Sequence, residues 1–273
     1  MGQRPTLQPH EKTPYNTQPK AKKMNNNILS AHNLSIGYTD KQGLTTTVLR
    51  SFSLNISQNE VVMILGASGT GKSSLLRCLG LLQKPFSGSL KLAENAKTAF
   101  VFQTPALLPW LSVYQNIAFG SNFKNQPNIE DSAVCHILKE VGLFDSANKK
   151  PAELSGGMAA RVALARALVR CPDIVFLDEP FAALDAITRH DMQRLLLQMA
   201  KSHHTAAVMV THDIDEALFL ADRIILLGQG RLIDEWQINH KQRDKQIIRE
   251  EILNALATAH DNARQEETVE FVI

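Results

Sequence analysis

The segment Gly66-Ala67-Ser68-Gly69-Thr70-Gly71-Lys72-Ser73-Ser74 fits the spacing GxxxxGK[ST] through Ser73. Glycines so placed let successive backbone N–H groups approach an anion, the lysine reaches β and γ phosphates, and the following hydroxyl suits Mg²⁺. A helix beginning at the loop adds the positive end of its dipole. The implied chemistry is binding of a nucleoside triphosphate. A second set is Ile174-Val175-Phe176-Leu177-Asp178-Glu179, an apolar run that ends in two carboxylates and is stopped by Pro180. Asp178, at the carboxyl edge of a strand, can hold Mg²⁺ directly or through water, because that ion takes oxygen ligands and keeps some of its waters. Glu179 then stands where a general base could polarise a water attacking the γ phosphate.

A third set, Leu154-Ser155-Gly156-Gly157-Met158, precedes an apolar helical pattern. A serine followed by two glycines at a helix N-terminus is another phosphate-binding arrangement. One nucleotide hardly needs two of them in one chain, so the economical solution is a dimer in which each chain's segment closes over its partner's phosphate loop.

The elements that must position these groups follow from hydrophobic patterning. Val61-Val62-Met63-Ile64-Leu65 before the loop and SSLLRCLGLL after it supply strand, loop and helix in the order of a parallel α/β sheet. Upstream, ILSAHNLSIGY and TTTVLRSFSLNI, separated by the turn-like TDKQG, predict an antiparallel β layer. Residues about 105 to 170 carry helical patterns, DSAVCHILKEVGLF and MAARVALARALVR, and predict a helical subdomain inserted between two parts of the sheet. IVFLDE, AAVMVTHD and RIILL return as buried strands, and LGQGRLI predicts a hairpin with Gly228 and Gly230 at positive φ. The expected organisation is a polar, disordered tail at 1–27, a nucleotide-binding domain at 28–240 and a charged helical tail at 241–273.

Composition narrows the class without naming a partner. The chain has 273 residues, a formal net charge of +2 and 44% hydrophobic residues, ordinary values for a soluble fold with one sizeable core. So small a charge gives no ground for a nucleic-acid partner. The three cysteines, Cys78, Cys135 and Cys171, form no CxxC pair and read as reduced thiols. No apolar stretch reaches the roughly 18 residues that span a bilayer.

Taken together and in this order, the motifs resemble those of the ATP-binding subunits of ABC transporters over about residues 28–235. The resemblance implies an α/β P-loop fold of ABC ATPase type, with a mixed sheet core, an antiparallel β layer and an inserted helical subdomain, and it implies ATP and Mg²⁺ as ligands. It assigns roles to residues whose types alone are bland. Gln103, in VFQTPALLPW, is similar to the Q-loop glutamine that contacts Mg²⁺ and the attacking water. Ala183-Leu184-Asp185 resembles the D-loop at the dimer interface, His212 the switch histidine on the γ phosphate, and Tyr38 the aromatic that stacks on adenine. A lone tyrosine or histidine in these settings would otherwise read as packing or as a solvated side chain. The signature departs from the family's usual form at Met158 and Ala160, where glutamines are common.

The family's partners follow by the same implication: a second copy of the chain, transmembrane permease subunits meeting the Gln103 to Asn116 region through Leu107, Leu108, Pro109 and Trp110, and a separate solute-binding protein. Its place is the cytoplasmic face of the inner membrane, held there peripherally. The wording LLPWLSVYQNIAFG and FAALDAITRHDMQ most resembles the importer subfamily for nitrate, sulfonate, taurine, bicarbonate or pyrimidine precursors. An exporter or lipid-transport subunit would share every catalytic residue. A soluble ABC-type ATPase would usually carry a coiled-coil insertion or a second fused nucleotide domain, and a small-molecule P-loop kinase would not need LSGGM.

Overall fold

The computed structural model describes residues 27–119, 128–238 and 245–270. Most of the expected tail at 1–27 lies outside them, apart from Asn27, which opens strand β1.

Strands β1 (Asn27–Thr39), β2 (Thr45–Ser57) and β4 (Ser87–Leu92) form an antiparallel sheet in the order β2-β1-β4. Strand β3 (Val61–Leu65) belongs to a second sheet, with β5 (Thr98–Val101), β6 (Ile174–Asp178), β7 (Ala206–Val210), β8 (Arg223–Gly228) and β9 (Arg231–Gln237), ordered β5-β6-β7-β3-β8-β9. Its pairs are parallel except the last, β8 with β9. Every residue of β3, β6, β7 and β8 is buried. Such strands are covered on both faces, which is why they read as unbroken apolar runs and not as alternation.

Alternate residues of these strands feed two cores. Val61, Met63, Leu65, Val175 and Leu177 pack with helices α2 (Val113–Ala118), α3 (Asp131–Glu140), α4 (Gly156–Leu168), α5 (Ala186–Ser202), α6 (Ile214–Leu220) and α7 (Lys245–Glu270). Val62, Ile64, Ile174 and Phe176 pack on the opposite face with α1 (Lys72–Leu79) and the antiparallel sheet. The phosphate-loop helix is thereby held between two sheets.

The stretch predicted to be helical, about 105 to 170, contains α2, α3 and α4, with short 3₁₀ turns at Phe144–Ser146 and Pro151–Glu153. Fully buried Asn116 holds the turn before α2: its amide nitrogen donates to the carbonyls of Leu108, Leu111 and Ser112, and its oxygen accepts from Leu108 N at 2.8 Å. That turn presents Trp110, which is 68% exposed. Leu107, expected as an exposed anchor, instead packs partly against the main core, and Leu108 is half-buried.

The predicted hairpin joins β8 to β9, with one correction. The residues at positive φ are Gln229 (48°) and Gly230 (68°), not Gly228. Two consecutive left-handed residues match the twist of the flanking strands, and here the glutamine takes the first of those positions.

Candidate nucleotide site

Register delivers the chemistry to one edge of the second sheet. Val101 pairs with Leu177, Asp178 with Val210, and Ile64 with Val210, so the carboxyl ends of β5, β6, β7 and β3 lie side by side. The segments that follow them carry Gln103, Glu179, His212 and the loop 66–74. Ligands of parallel sheets bind at this end, outside the carboxyl ends of the strands.

Gly71, at φ 91°, is the N-cap of α1, a left-handed conformation that a side chain would strain. It turns the chain so that α1 starts at Lys72. Lys72 is only 6% exposed, and its Nζ donates to Gly66 O at 2.8 Å and to Ala67 O at 2.9 Å. An ammonium has three donors, so one remains for an anion. Burial lowers the Lys72 pKa from its usual 10.5, opposed by the charges of Glu179 and Asp178.

Ser73 Oγ donates to Asp178 Oδ1 at 2.8 Å, and Arg77 Nη2 stands 3.9 Å from Asp178 Oδ2. Two oxygen donors from α1 and β6 thus meet at the loop. Among the described residues no three His, Cys, Asp or Glu side chains group as a metal cage. A hydroxyl and one carboxylate fit Mg²⁺, which keeps several waters and needs few protein ligands, better than an ion that demands a full cage.

Glu179 lies at φ 43°, a sparsely populated conformation for a side-chain-bearing residue, with its N–H bonded to Val210 O at 3.2 Å. Its Oε2 is 3.2 Å from Nδ1 of His212, so the paired strands bring together two predicted residues 33 positions apart. The His212 side chain is 63% exposed and faces outward from this pair.

Gln103 sits exposed in the loop after β5. Tyr38, 57% exposed, pairs across the antiparallel sheet with Thr46. Two residues beyond Thr46, Val48 comes within 3.3 Å of the position a Cβ on Gly71 would occupy, so β2 flanks the phosphate loop.

Ser155 is the N-cap of α4, with its hydroxyl accepting from Met158 N at 3.3 Å. The Met158 departure uses only its backbone in that cap, and Ala160 is buried in the main core. A Cβ on Gly157 would stand 2.5 Å from Thr188 Cγ2, and one on Gly156 would meet Leu184 at 3.8 Å. The neighbours of the LSGGM segment in its own chain are therefore the D-loop-like turn and α5, not the loop 66–74. Asp185 caps α5, accepting from Ile187 N at 3.1 Å and Thr188 N at 3.0 Å, and the Thr188 bonds hold its carboxyl below the usual carboxylate range.

Sequence patterning missed the residues that join these loops. Arg189, on α5, donates from Nη2 to Leu184 O at 3.1 Å and from Nη1 to Asp213 Oδ2 at 3.4 Å, linking the turn before Asp185 to the residue after His212. The only sequence signal was a cation one turn after Asp185. Nearby, Gln193 Nε2 donates to buried Glu216 at 3.0 Å.

Burial pushes the Glu216 carboxyl above its usual 4.5, opposed by its hydrogen bonds to Thr211 and Gln193. A folded-state pKa above the unfolded one favours the native state at low pH and costs stability as pH rises through the folded value. Glu216→Gln keeps the acceptor for Gln193 and removes the charge. The expected result is a higher Tm than wild type at pH 8, where the buried carboxylate would otherwise have to be charged. The gain should shrink toward zero as pH falls to 4.5, and thermal scans giving the same difference at both ends reject this account.

A phosphate loop and carboxylate pair gathered on one parallel edge, backed by an antiparallel layer, make this a P-loop ATPase of the ATP-binding cassette type. The model of the family described as ABC transporter matches residues 49–182. The chain is 42% identical over 231 residues to the aliphatic sulfonates import ATP-binding protein SsuB 2 of Burkholderia cenocepacia, covering 80% of this chain and 84% of that protein. Against SsuB of Granulibacter bethesdensis it is 48% identical over 206 residues, covering 76% and 84% of the two chains. Among solved structures, cbiO1 of Clostridium perfringens, part of the ABC transporter complex cbiONQ, superposes with a TM-score of 0.70 at 30% identity over 86% of this chain and 98% of that one. The dimeric bacterial ABC transporter cassette MJ0796 gives 0.68 at 32% identity over 78% and 99%. The chain belongs to the ABC transporter family as one of its ATP-binding proteins, and it couples ATP hydrolysis to transport.

Proposed function

We propose that two copies of this chain close around two ATP molecules, part on hydrolysis, and so drive permease subunits that import an aliphatic sulfonate or a closely related small anion. The observation that carries the paired arrangement is the placement of LSGGM: in one chain its glycines abut Leu184 and Thr188, leaving the phosphate loop without a second phosphate-binding face. A partner's Ser155, Gly156 and Gly157 would supply that face, with Asp185 on the same interface. The named activity of the sulfonate-import relatives supports the cargo and the direction.

Within each site, backbone N–H groups of Gly66 through Ser74 and the Lys72 ammonium hold the phosphates, and Tyr38 stacks on the base. Ser73 and Asp178, with Gln103, would hold Mg²⁺, whose charge offsets that developing on the transferring phosphoryl group. Glu179 accepts a proton from the attacking water as the bond between the γ phosphorus and the bridging oxygen breaks. His212, held beside Glu179, orients on the γ phosphate. The motion passes to separate permease subunits, and among the described residues no helix is long and apolar enough to cross a membrane. Exposed Trp110 and Pro109 offer them an apolar contact at the cytoplasmic face of the inner membrane.

The test is capture of tagged Glu179→Gln chain from gently solubilised membranes, then reconstitution of the unsubstituted complex in vesicles with its solute-binding protein. Recovery of a multispanning permease, and ATP hydrolysis raised by an alkanesulfonate but not by nitrate, is the expected result. Recovery of soluble partners alone rejects transport by this chain, and stimulation by nitrate alone rejects the cargo.

A further inference from the structure

The Arg166 side chain lies in the last turn of α4, the helix whose first turn carries Ser155, Gly156 and Gly157. Its guanidinium donates from Nη2 to Pro105 O at 2.7 Å and from Nη1 to Ala106 O at 2.9 Å. Both carbonyls belong to the loop that starts with Gln103. Ala106 stands at φ 45°, a left-handed conformation that costs a side-chain-bearing residue energy unless its surroundings impose it. Two bonds from one planar fork onto adjacent carbonyls fix position and orientation together, which a single ammonium cannot do. Beyond the clamp, the chain runs four residues to Trp110, whose carbonyl accepts from Lys150 Nζ at 2.8 Å.

We propose that Arg166 is a positioning residue that makes the Gln103 loop and the permease-facing turn at Trp110 move with the signature helix. This rests on the ATP-driven pairing argued above. Gly156 and Arg166 stand ten positions apart on α4, about 15 Å of stiff helix. Its N-terminus meets the partner's nucleotide, while its last turn grips the loop that reaches this chain's own nucleotide. Closure at one site thus sets the geometry of Gln103 at the other and shifts the exposed turn. Arg166 bonds the loop's backbone and carries no proposed contact to the nucleotide, so its loss should act on rate and transmission and leave ATP affinity largely in place.

The experiment uses the full chain with Arg166→Ala and Arg166→Lys. A misplaced positioning group costs up to about a hundredfold in rate, and here the expected result is a kcat lowered at least ~10-fold in Arg166→Ala with KM for ATP changed less than ~3-fold. Arg166→Lys, able to hold one carbonyl, should fall between. The second readout is tryptophan quenching by acrylamide in a Glu179→Gln background. Of the two tryptophans, Trp236 is buried and Trp110 exposed, so quenching reports the Trp110 turn. ATP should change that quenching with Arg166 present and leave it unchanged in Arg166→Ala, although ATP still drives dimerisation on gel filtration. A kcat per folded chain equal to wild type, or an ATP-dependent change in Trp110 that is absent with Arg166 intact or persists without it, overturns the proposal. Failure of the pairing reading looks different: with Arg166 intact, the Glu179→Gln chain would stay monomeric on gel filtration with ATP. If Arg166→Ala fails to fold, the lysine variant carries both readouts, and wild-type values there reject the clamp.

Discussion

Glu179→Gln should bind ATP and hydrolyse it hardly at all, with kcat lower by about 10²–10⁴, the range a positioned general base contributes. The substitution removes the proposed proton acceptor and leaves the shape. The Glu179 N–H bond to Val210 O belongs to the backbone, so the turn after β6 should persist. The amide can still meet His212 across the present 3.2 Å contact. With ATP bound and hydrolysis stopped, the contacts that close the dimer are not released, and the population should move to the closed pair. Gel filtration with Mg²⁺ and ATP, beside a steady-state phosphate-release assay, tests both halves. Equal hydrolysis by the two proteins removes Glu179 as the base. Lost hydrolysis without an ATP-dependent dimer removes the link between the site and pairing.

Lys72→Ala should act one step earlier, on binding. The Nζ is the buried cation of the loop, and charge-assisted hydrogen bonds contribute roughly 1.5–3 kcal/mol each, so ATP affinity should fall about 10- to 100-fold. The same change removes the Nζ donor from Gly66 O and from Ala67 O, the second of which still accepts from Thr70 Oγ1 at 2.9 Å. Titration with a fluorescent ATP analogue measures the affinity. A Tm comparison separates that loss from unfolding: a chain melting near the wild type with its ATP affinity lowered by about that factor supports the assignment. Wild-type affinity rejects it. The two variants are opposites, since one keeps the nucleotide and cannot release it while the other fails to take it up.

The chemistry of single segments was readable because it is local. In Gly66 to Ser74 the spacing itself places glycines where backbone meets phosphate, and the apolar runs of β3, β6, β7 and β8 are unbroken because those strands are buried on both faces. The helices of 105 to 170 show a period that survives without tertiary context. The strands β4 and β5 escaped notice for the opposite reason: SGSLKL and TAFV are short, partly exposed and bounded by few turn signals. Of the two hairpin glycines expected at positive φ, Gly230 takes it and Gly228 does not, its place falling to Gln229, because strand register and not residue type alone decides where the turn falls.

What residue types and spacing determined by themselves was a list of candidate groups for binding a nucleotide and activating water. Only the tertiary structure decided which of them meet. Ser73 reaches Asp178 across 105 positions because β6 runs near α1 in the folded order, and Glu179 reaches His212 because β6 and β7 are neighbours. Arg166 reaches Pro105 across 61 positions, and Arg189 reaches Asp213 across 24. An arginine on a helix looks like any solvated cation until a distant backbone carbonyl is brought under it. Strand order sets those distances, and strand order is a property of the packed chain, since buried apolar strands of similar composition carry little local information about which neighbour they will pair with.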